Sequence, residues 1–368
     1  MKILVVSPKN KTVYNFRGDL IKDMIAAGHE VYVTGPNRDF YDEVMALGVK
    51  EFFEISLVKD NTNPFGDVQY LKRLTACMKA LSPDLVFSYT VKPVIYGSLA
   101  ASKAGVGRIY GMITGLGRAY SAAGKKAMLV RAVTKRLYKP ALKKCSKVIF
   151  QNPDDARQLV KMGCLCEKKI ERVNGSGVNM ERFKRTPLPA ETVFLMVSRI
   201  IREKGVIEYC EAAKEVKASY PSARFVLLGA FDSAIGGLSL EDIREYTDSG
   251  IVEIPGEVKD PVRFYGDSTV FVLPSYYREG LPRTILEAMS CGRPVITTDW
   301  TGCRETVEDG VNGYLIPVKD PGALADRMTR LIEDRALLEK MGDASYRICK
   351  ERFDVDIVNR RMREILGY

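Results

Sequence analysis

Short, largely apolar runs alternate along this chain with longer stretches in which apolar residues recur every three or four positions. The runs over residues 1–6, 30–34, 51–55, 84–88, 108–113, 147–151 and 170–174 predict strands. Runs of this kind without polar alternation fit strands buried on both faces, as in a parallel sheet. Between them, residues 19–27, 64–81, 93–104 and 153–162 predict helices, the first preceded by a loop over 9–18. A second series of strands is predicted over 193–197, 224–228, 251–254, 269–273 and 294–298, and a last helix over 355–365. Regular alternation of this kind argues for an α/β protein with helices on both faces of parallel sheets. The first β-α-β unit lacks G-x-G-x-x-G, so it is not a dinucleotide fingerprint.

Residues 186–192, Thr-Pro-Leu-Pro-Ala-Glu-Thr, make the best linker. A chain of 368 residues suits two domains, here expected over 1–185 and 190–354. Charge changes across the linker. Residues 1–185 hold 32 Lys and Arg against 16 Asp and Glu, whereas 186–368 hold 24 against 30. One half therefore suits an anionic partner such as a phosphorylated substrate, a membrane surface or a nucleic acid. No run reaches the ~18 apolar residues of a membrane span. The apolar start is too short for a secretory signal and reads as a strand. The eight Cys include no C-x2-C pair, and the only His is His29, after a helix-ending Gly. Zinc and disulfide frameworks are thereby disfavoured, which suits a reducing cytoplasm.

The candidate chemistry centres on Pro274-Ser-Tyr-Tyr-Arg-Glu-Gly-Leu-Pro-Arg-Thr-Ile-Leu-Glu-Ala-Met-Ser-Cys-Gly-Arg-Pro294. It reads as a strand end, a turn at Gly280, and a helix with Pro282 as its first residue, closed by Gly292 and Pro294. Backbone N–H groups near Leu281, Arg283 and Thr284 would face an anion. Glu279 and Glu287 bracket this helix start; the plain alternative is acids complementing a helix dipole. Arg199 and Lys204, in Ser-Arg-Ile-Ile-Arg-Glu-Lys-Gly205, follow the first strand of the second series, where open α/β sheets bind ligands. Two cations there suit a diphosphate, the alternative being a solvated loop. Arg17, in Asn15-Phe-Arg-Gly18, reads either as a phosphate contact or as a surface residue at a helix start. Lys92 and Thr114-Gly115 follow the fourth and fifth strands, and Gly115 permits close backbone approach to a ligand. Asp154-Asp155 look like acids of a helix start and not a metal-binding Asp-x-Asp loop. From Arg118 to Lys147 there are ten Lys and Arg and no acid, with Met128, Leu129, Ala132, Val133, Leu137 and Leu142 near helical spacing. That pattern suits an anionic membrane surface; a solvated face or a nucleic-acid patch is the alternative.

Glu279-x7-Glu287 within Pro274-Ser, Gly280-Leu-Pro, Glu287-Ala-Met and Gly292-x-Pro-Val resembles the signature of the retaining glycosyltransferases of family 4. The resemblance implies a GT-B fold, two Rossmann-like domains facing each other across a cleft, with the last helix (355–368) packed back on the first. It implies that Glu279 contacts the donor hexose and Glu287 the nucleotide ribose. Gly280 and Leu281 would bind the distal phosphate, Arg199 and Lys204 the leaving diphosphate, and the backbone around Val258 the nucleobase edge. No cofactor or metal is implied. Tyr-Thr-x-Lys-Pro (89–93) and Ile-Thr-Gly-Leu-Gly (113–117) look like a bacterial branch that extends undecaprenyl-diphosphate-linked saccharides with N-acetylhexosamines. Partners would then be a UDP-sugar, a polyprenyl-diphosphate saccharide and the inner face of a cell membrane, with no nucleic acid. Many family members carry a His near position 114, where this chain has Thr. A nucleotide-sugar epimerase of the same fold would need several His in its cleft, and a non-catalytic binding protein would not release nucleotide on adding an acceptor.

Overall fold

The computed structural model describes residues 1–57, 64–117, 120, 124–232 and 237–368. It divides into two compact units, Met1–Ser176 with Val358–Tyr368, and Gly177–Ile357.

The first unit is built on a parallel sheet of β1 (Lys2–Val6), β2 (Glu30–Gly35), β3 (Glu51–Glu54), β4 (Leu85–Tyr89), β5 (Arg108–Ile113), β6 (Lys147–Phe150) and β7 (Ile170–Arg172). Their spatial order is β3-β2-β1-β4-β5-β6-β7. The apolar runs are explained by burial on both sides. Leu4 and Val6 enter one core with Tyr70, Leu74, Ala100 and Leu142, while Ile3 and Val5 enter another with Val13, Leu20 and Met24. Val358, Met362 and Leu366 of the last helix, Val355–Leu366, belong to that second core. Arg108 fixes the end of the chain by donating to the carbonyls of Leu366 and Gly367, and Arg363 pairs with Asp23.

Two expectations are corrected here. The loop over 9–18 is helical, because the first helix runs Asn10–Ala26. Gly18, the end of the expected loop, sits inside this helix close on Leu47, whose Cδ2 a Cβ there would meet at 3.2 Å. The helix expected over 93–104 opens as a π-helical turn, Pro93–Gly97, before Ser98–Lys103. Gly97 lets this turn lie against β4, since a Cβ would lie 2.4 Å from Ser88 Oγ.

The second unit holds β8 (Val193–Val197), β9 (Arg224–Leu228), β10 (Glu253–Gly256), β11 (Val270–Leu273), β12 (Val295–Thr298) and β13 (Gly313–Ile316). These strands pair in parallel in the order β10-β9-β8-β11-β12-β13. β13 was not expected; it is short and begins with Gly. The division falls at Ser176–Gly177, and residues 186–192 lie inside the second unit. Arg293 holds them there. It is wholly buried, and its guanidinium donates to Thr186 O (3.2 Å), Pro187 O (3.3 Å), Tyr265 O (3.0 Å) and Gly266 O (3.1 Å). Burial pushes its pKa down to about 10, so it remains a cation at neutral pH.

Strand order reverses between β1 and β4 in one unit and between β8 and β11 in the other. In open sheets such reversals open a crevice at the carboxyl ends of the strands, and ligands bind there.

Candidate functional site

The loops that follow β8 and β11 meet at the reversal of the second sheet. Beyond β8, Ser198 N donates to Leu228 O (3.0 Å) and Ile200 N to Ala230 O (2.9 Å), so the chain stays aligned with the segment after β9. Arg199 sits between them. Its guanidinium reaches Asp232 at 3.0 Å and lies over the Tyr277 ring, 5.5 Å from its centroid. Burial pulls the Arg199 pKa down, but Tyr277, Asp232 and Glu279 outweigh it and leave the pKa above the ordinary value.

Lys204 ends a 3-10 turn, Arg202–Lys204, and Gly205 turns the chain into the helix Val206–Ser219 with φ of 80°. At that glycine a Cβ would lie 2.2 Å from Pro274 O, so the turn can press directly on the end of β11. Tyr276 N donates to Glu203 O (2.9 Å), as does Ser275 Oγ (3.3 Å). This seam brings the Lys204 ammonium onto the Glu279 carboxylate, with side chains 12% and 15% exposed. The ammonium also lies 5.6 Å from the Tyr277 centroid. Lys204 is therefore not a solvated surface cation.

The loop carrying Glu279 is braced from β12. Thr297 Oγ1 donates to Leu273 O (2.7 Å) and Thr298 Oγ1 to Ser275 O. Gly302 packs so tightly that a Cβ would lie 2.7 Å from Gly280 O and 2.9 Å from Glu279 Cβ. The helix that follows is Arg283–Ser290, with Pro282 in extended backbone as its N-cap instead of its first residue. Its fixed φ suits both places; ψ of 111° decides for the cap. Helix geometry still turns the first N–H groups outward beside Gly280 and Leu281.

Glu287 lies one turn into that helix. Arg283 Nε approaches its Oε1 at 3.2 Å, and Tyr265 OH donates to Oε2 at 2.7 Å. Burial raises its pKa, opposed by Arg283 and Tyr265. Val258, in the loop after β10, packs half-buried against the core of this unit. The structure thus gathers Arg199, Lys204 and Glu279 around one tyrosine ring and holds Glu287 separately.

Tyr277 and Tyr265 were not singled out by the sequence reading, and Asp232 and Arg283 were expected only as part of a loop near the ligand and as a backbone N–H donor. Tyr277 and Arg283 lie inside the quoted signature and Asp232 in the loop after β9, but nothing local shows which residues they touch.

In the first unit, Lys92 precedes the π-helical turn and pairs with Asp67 at 2.9 Å; Tyr96 OH donates to the same carboxylate at 2.8 Å. Thr114 is half-buried after β5, followed by Gly115 with φ of 109°. Arg17 is no surface residue. It is 4% exposed, lies over the Tyr89 ring at 5.0 Å and donates to Ser176 Oγ at 3.0 Å. Arg118, the start of the basic stretch, lies outside the described residues. From Lys125 to Lys144 that stretch is one helix, with Met128 and Leu129 65% and 67% exposed. Among the described residues no helix is long and apolar enough to cross a membrane.

Comparison with known proteins gives this arrangement a family. The model for glycosyl transferases group 1 matches residues 179–348, and that for glycosyl transferase 4-like proteins matches 2–152. The N,N'-diacetylbacillosaminyl-diphospho-undecaprenol alpha-1,3-N-acetylgalactosaminyltransferase of Campylobacter jejuni is 31% identical, over 92% of this chain and 91% of its own. The chain belongs to the group 1 and 4-like glycosyl transferases. A second relative of this glycosyltransferase is the UDP-Gal:alpha-D-GlcNAc-diphosphoundecaprenol alpha-1,3-galactosyltransferase of Escherichia coli, 28% identical over 83% of this chain and 79% of its own. Anabaena HepE, solved in complex with UDP and glucose, superposes with a TM-score of 0.81 at 18% identity, over 100% of this chain and 99% of that one. Sucrose-phosphate synthase of Thermosynechococcus elongatus gives 0.83 at 19% identity, over 100% and 98%. The fold is GT-B: two α/β units, each with a parallel sheet.

Proposed function

We propose that this glycosyltransferase moves a hexose or N-acetylhexosamine, with retention and without a metal ion, from a UDP-sugar such as UDP-GalNAc to a polyprenyl-diphosphate-linked saccharide. The observation that carries the reading is the cluster of Arg199, Lys204 and Glu279 beside the helix start at Arg283. Breaking the anomeric C–O bond leaves an oxocarbenium-like sugar and a diphosphate gathering negative charge. Two cations and outward N–H groups at that spot supply the countercharge a metal would otherwise bring, a stabilisation of several kcal/mol in preorganised sites. Glu279 would take hydroxyls of the donor sugar, and Glu287 those of the ribose. Val258 would lie at the nucleobase. With no protein nucleophile assigned, the acceptor hydroxyl attacks from the leaving-group side and gives its proton to the departing phosphate.

The first unit would bind the acceptor, with Lys92, Thr114 and Gly115 at the carboxyl ends of β4 and β5, and Arg17 would reach a phosphate of the donor or the acceptor. Two relatives bear names that specify diphosphoundecaprenol-linked sugars as acceptors. Exposed Met128, Leu129 and Val133 among Arg131, Lys135, Arg136 and Lys139 suit docking on the anionic inner face of a membrane. Each such cation adds ~1 kcal/mol near an anionic surface. The test is a screen of UDP-sugars by mass spectrometry against a polyprenyl-diphosphate saccharide. Sugar addition with acceptor-dependent release of UDP is the expected result. Turnover of the nucleotide sugar without an acceptor would favour an epimerase, and none at all a binding protein.

A further inference from the structure

Beyond the carboxyl end of β4 the first unit holds a carboxylate that the account so far leaves without a task. Asp67 pairs with Lys92 at 2.9 Å, the two side chains being 17% and 21% exposed. Tyr96 OH donates to its other oxygen at 2.8 Å. Asp67 comes from the first turn of the helix Pro64–Leu81, Lys92 from the loop after β4, and Tyr96 from the π-helical turn. The loop is strained where it leaves the strand, because Thr90, a β-branched residue, has φ of 69°. Strained residues and π-helical turns gather at functional sites. Stability does not account for the pair, since a largely buried ion pair adds little over apolar groups of the same shape.

We propose that Asp67 is a specificity-determining residue of the acceptor site, which accepts hydrogen bonds from hydroxyls of the acceptor saccharide and does not bind its diphosphate. The proposal rests on the reading of the first unit as the acceptor-binding unit. An ionised carboxylate only accepts hydrogen bonds, about four on its two oxygens. Among the described residues each oxygen of Asp67 takes one, from Lys92 and from Tyr96. Accepting capacity therefore remains on a side chain that is still partly open to solvent. Its charge repels a phosphate and attracts a hydroxyl. Lys92 offsets that charge on the spot, so the pair as a whole is neutral and suits the uncharged part of the acceptor. Residues 1–185 hold 32 Lys and Arg against 16 Asp and Glu, which leaves cations in plenty for the diphosphate elsewhere. Lys92 and Tyr96 are positioning residues in this scheme: they hold the carboxylate in place before the saccharide arrives, so less freedom is lost on binding.

The test measures calorimetric binding of farnesyl-diphosphate-linked N-acetylglucosamine, farnesyl diphosphate and UDP to the full chain. It compares wild type, Asp67→Asn, and a double variant carrying Asp67→Leu and Lys92→Met, with thermal unfolding to show that each is folded. Wild type should bind the sugar-bearing probe about tenfold tighter than farnesyl diphosphate. Asp67→Asn, which turns one accepting oxygen into a donor, should lose about tenfold on the sugar-bearing probe and less than about twofold on the other two. The double variant replaces the ion pair by apolar groups of similar size and leaves no unpaired ammonium. It should lose the same preference for the sugar-bearing probe. Unchanged binding of that probe by Asp67→Asn, or a preference kept by the double variant, overturns the proposal. An equal loss on both farnesyl probes also overturns it, by placing the contact at the diphosphate or the lipid. So does a parallel loss for UDP, which would mark a general distortion, and so does a wild type that does not distinguish the two farnesyl probes. Wild type binding neither farnesyl probe would instead remove the acceptor reading of this unit, and the proposal with it.

Discussion

Gly205 offers a quantitative test of how the site is positioned. Its φ of 80° lies where an L residue is strained by about 1–2 kcal/mol. In Gly205→Ala the new Cβ would also meet Pro274 O at 2.2 Å. Both are backbone-anchored, so no rotamer change relieves the contact. Restoring ordinary separation needs a movement of about 1 Å between the Lys204 turn and the end of β11, and shifts of that size in a catalytic group cost up to about a hundredfold in rate. Gly250→Ala is the control, because it has φ of 66° but nothing within 4 Å. Chemical denaturation should show Gly250→Ala losing about 1–2 kcal/mol. Gly205→Ala should lose roughly 1–3 kcal/mol more, as overpacked sites do. UDP affinity should fall in Gly205→Ala alone. Equal stability losses and equal UDP affinities in the two variants would refute the claim that this glycine sets Lys204 against Glu279.

Three further outcomes follow from the same contacts. Arg293→Met should destabilise the second unit by about 3–5 kcal/mol in urea unfolding, since several buried carbonyls lose their donor. Lys204→Ala should lower turnover by about 10²–10³-fold in a sugar-transfer assay. It should also cost about 1–3 kcal/mol of stability because Glu279 is left without its ammonium. Glu287 has a folded pKa raised by burial, so the folded chain holds that proton more tightly than the unfolded chain. Its contribution therefore favours folding at low pH and is lost as pH rises through the ordinary and then the raised value. Glu287→Gln should gain stability relative to wild type between pH 4 and pH 7, read from urea midpoints; a flat difference would show that burial does not perturb this carboxyl.

The strands were legible because those buried on both faces must be apolar throughout, as Ile3 to Val6 are. The start of the first helix was not, because Asn10, Asn15 and Gly18 carry loop propensity locally. Buried Asn10 instead donates to the carbonyls of Asn37 and Asp39, far along the chain. The signature from Pro274 to Pro294 was legible as a turn and a helix start, and the cations Arg199 and Lys204 were visible beside strand ends. Their partners were hidden by distance along the chain: Lys204 and Glu279 are 75 positions apart. Arg293 was hidden for a different reason. Composition rules place arginine outside, and only backbone carbonyls from remote segments make its complete burial tolerable. The pairing of Arg199 with Asp232 likewise depends on β8 and β9 being neighbours, which sheet order settles and local pattern does not.

The most direct measurement is a crystal structure of the full chain with UDP-GalNAc. The distal phosphate should lie within hydrogen-bond reach, about 2.7–3.2 Å, of Lys204 Nζ and of the backbone N–H groups that open the helix at Arg283, with sugar hydroxyls on Glu279. A nucleotide sugar found elsewhere, with Lys204 still clasped by Glu279, would contradict the account.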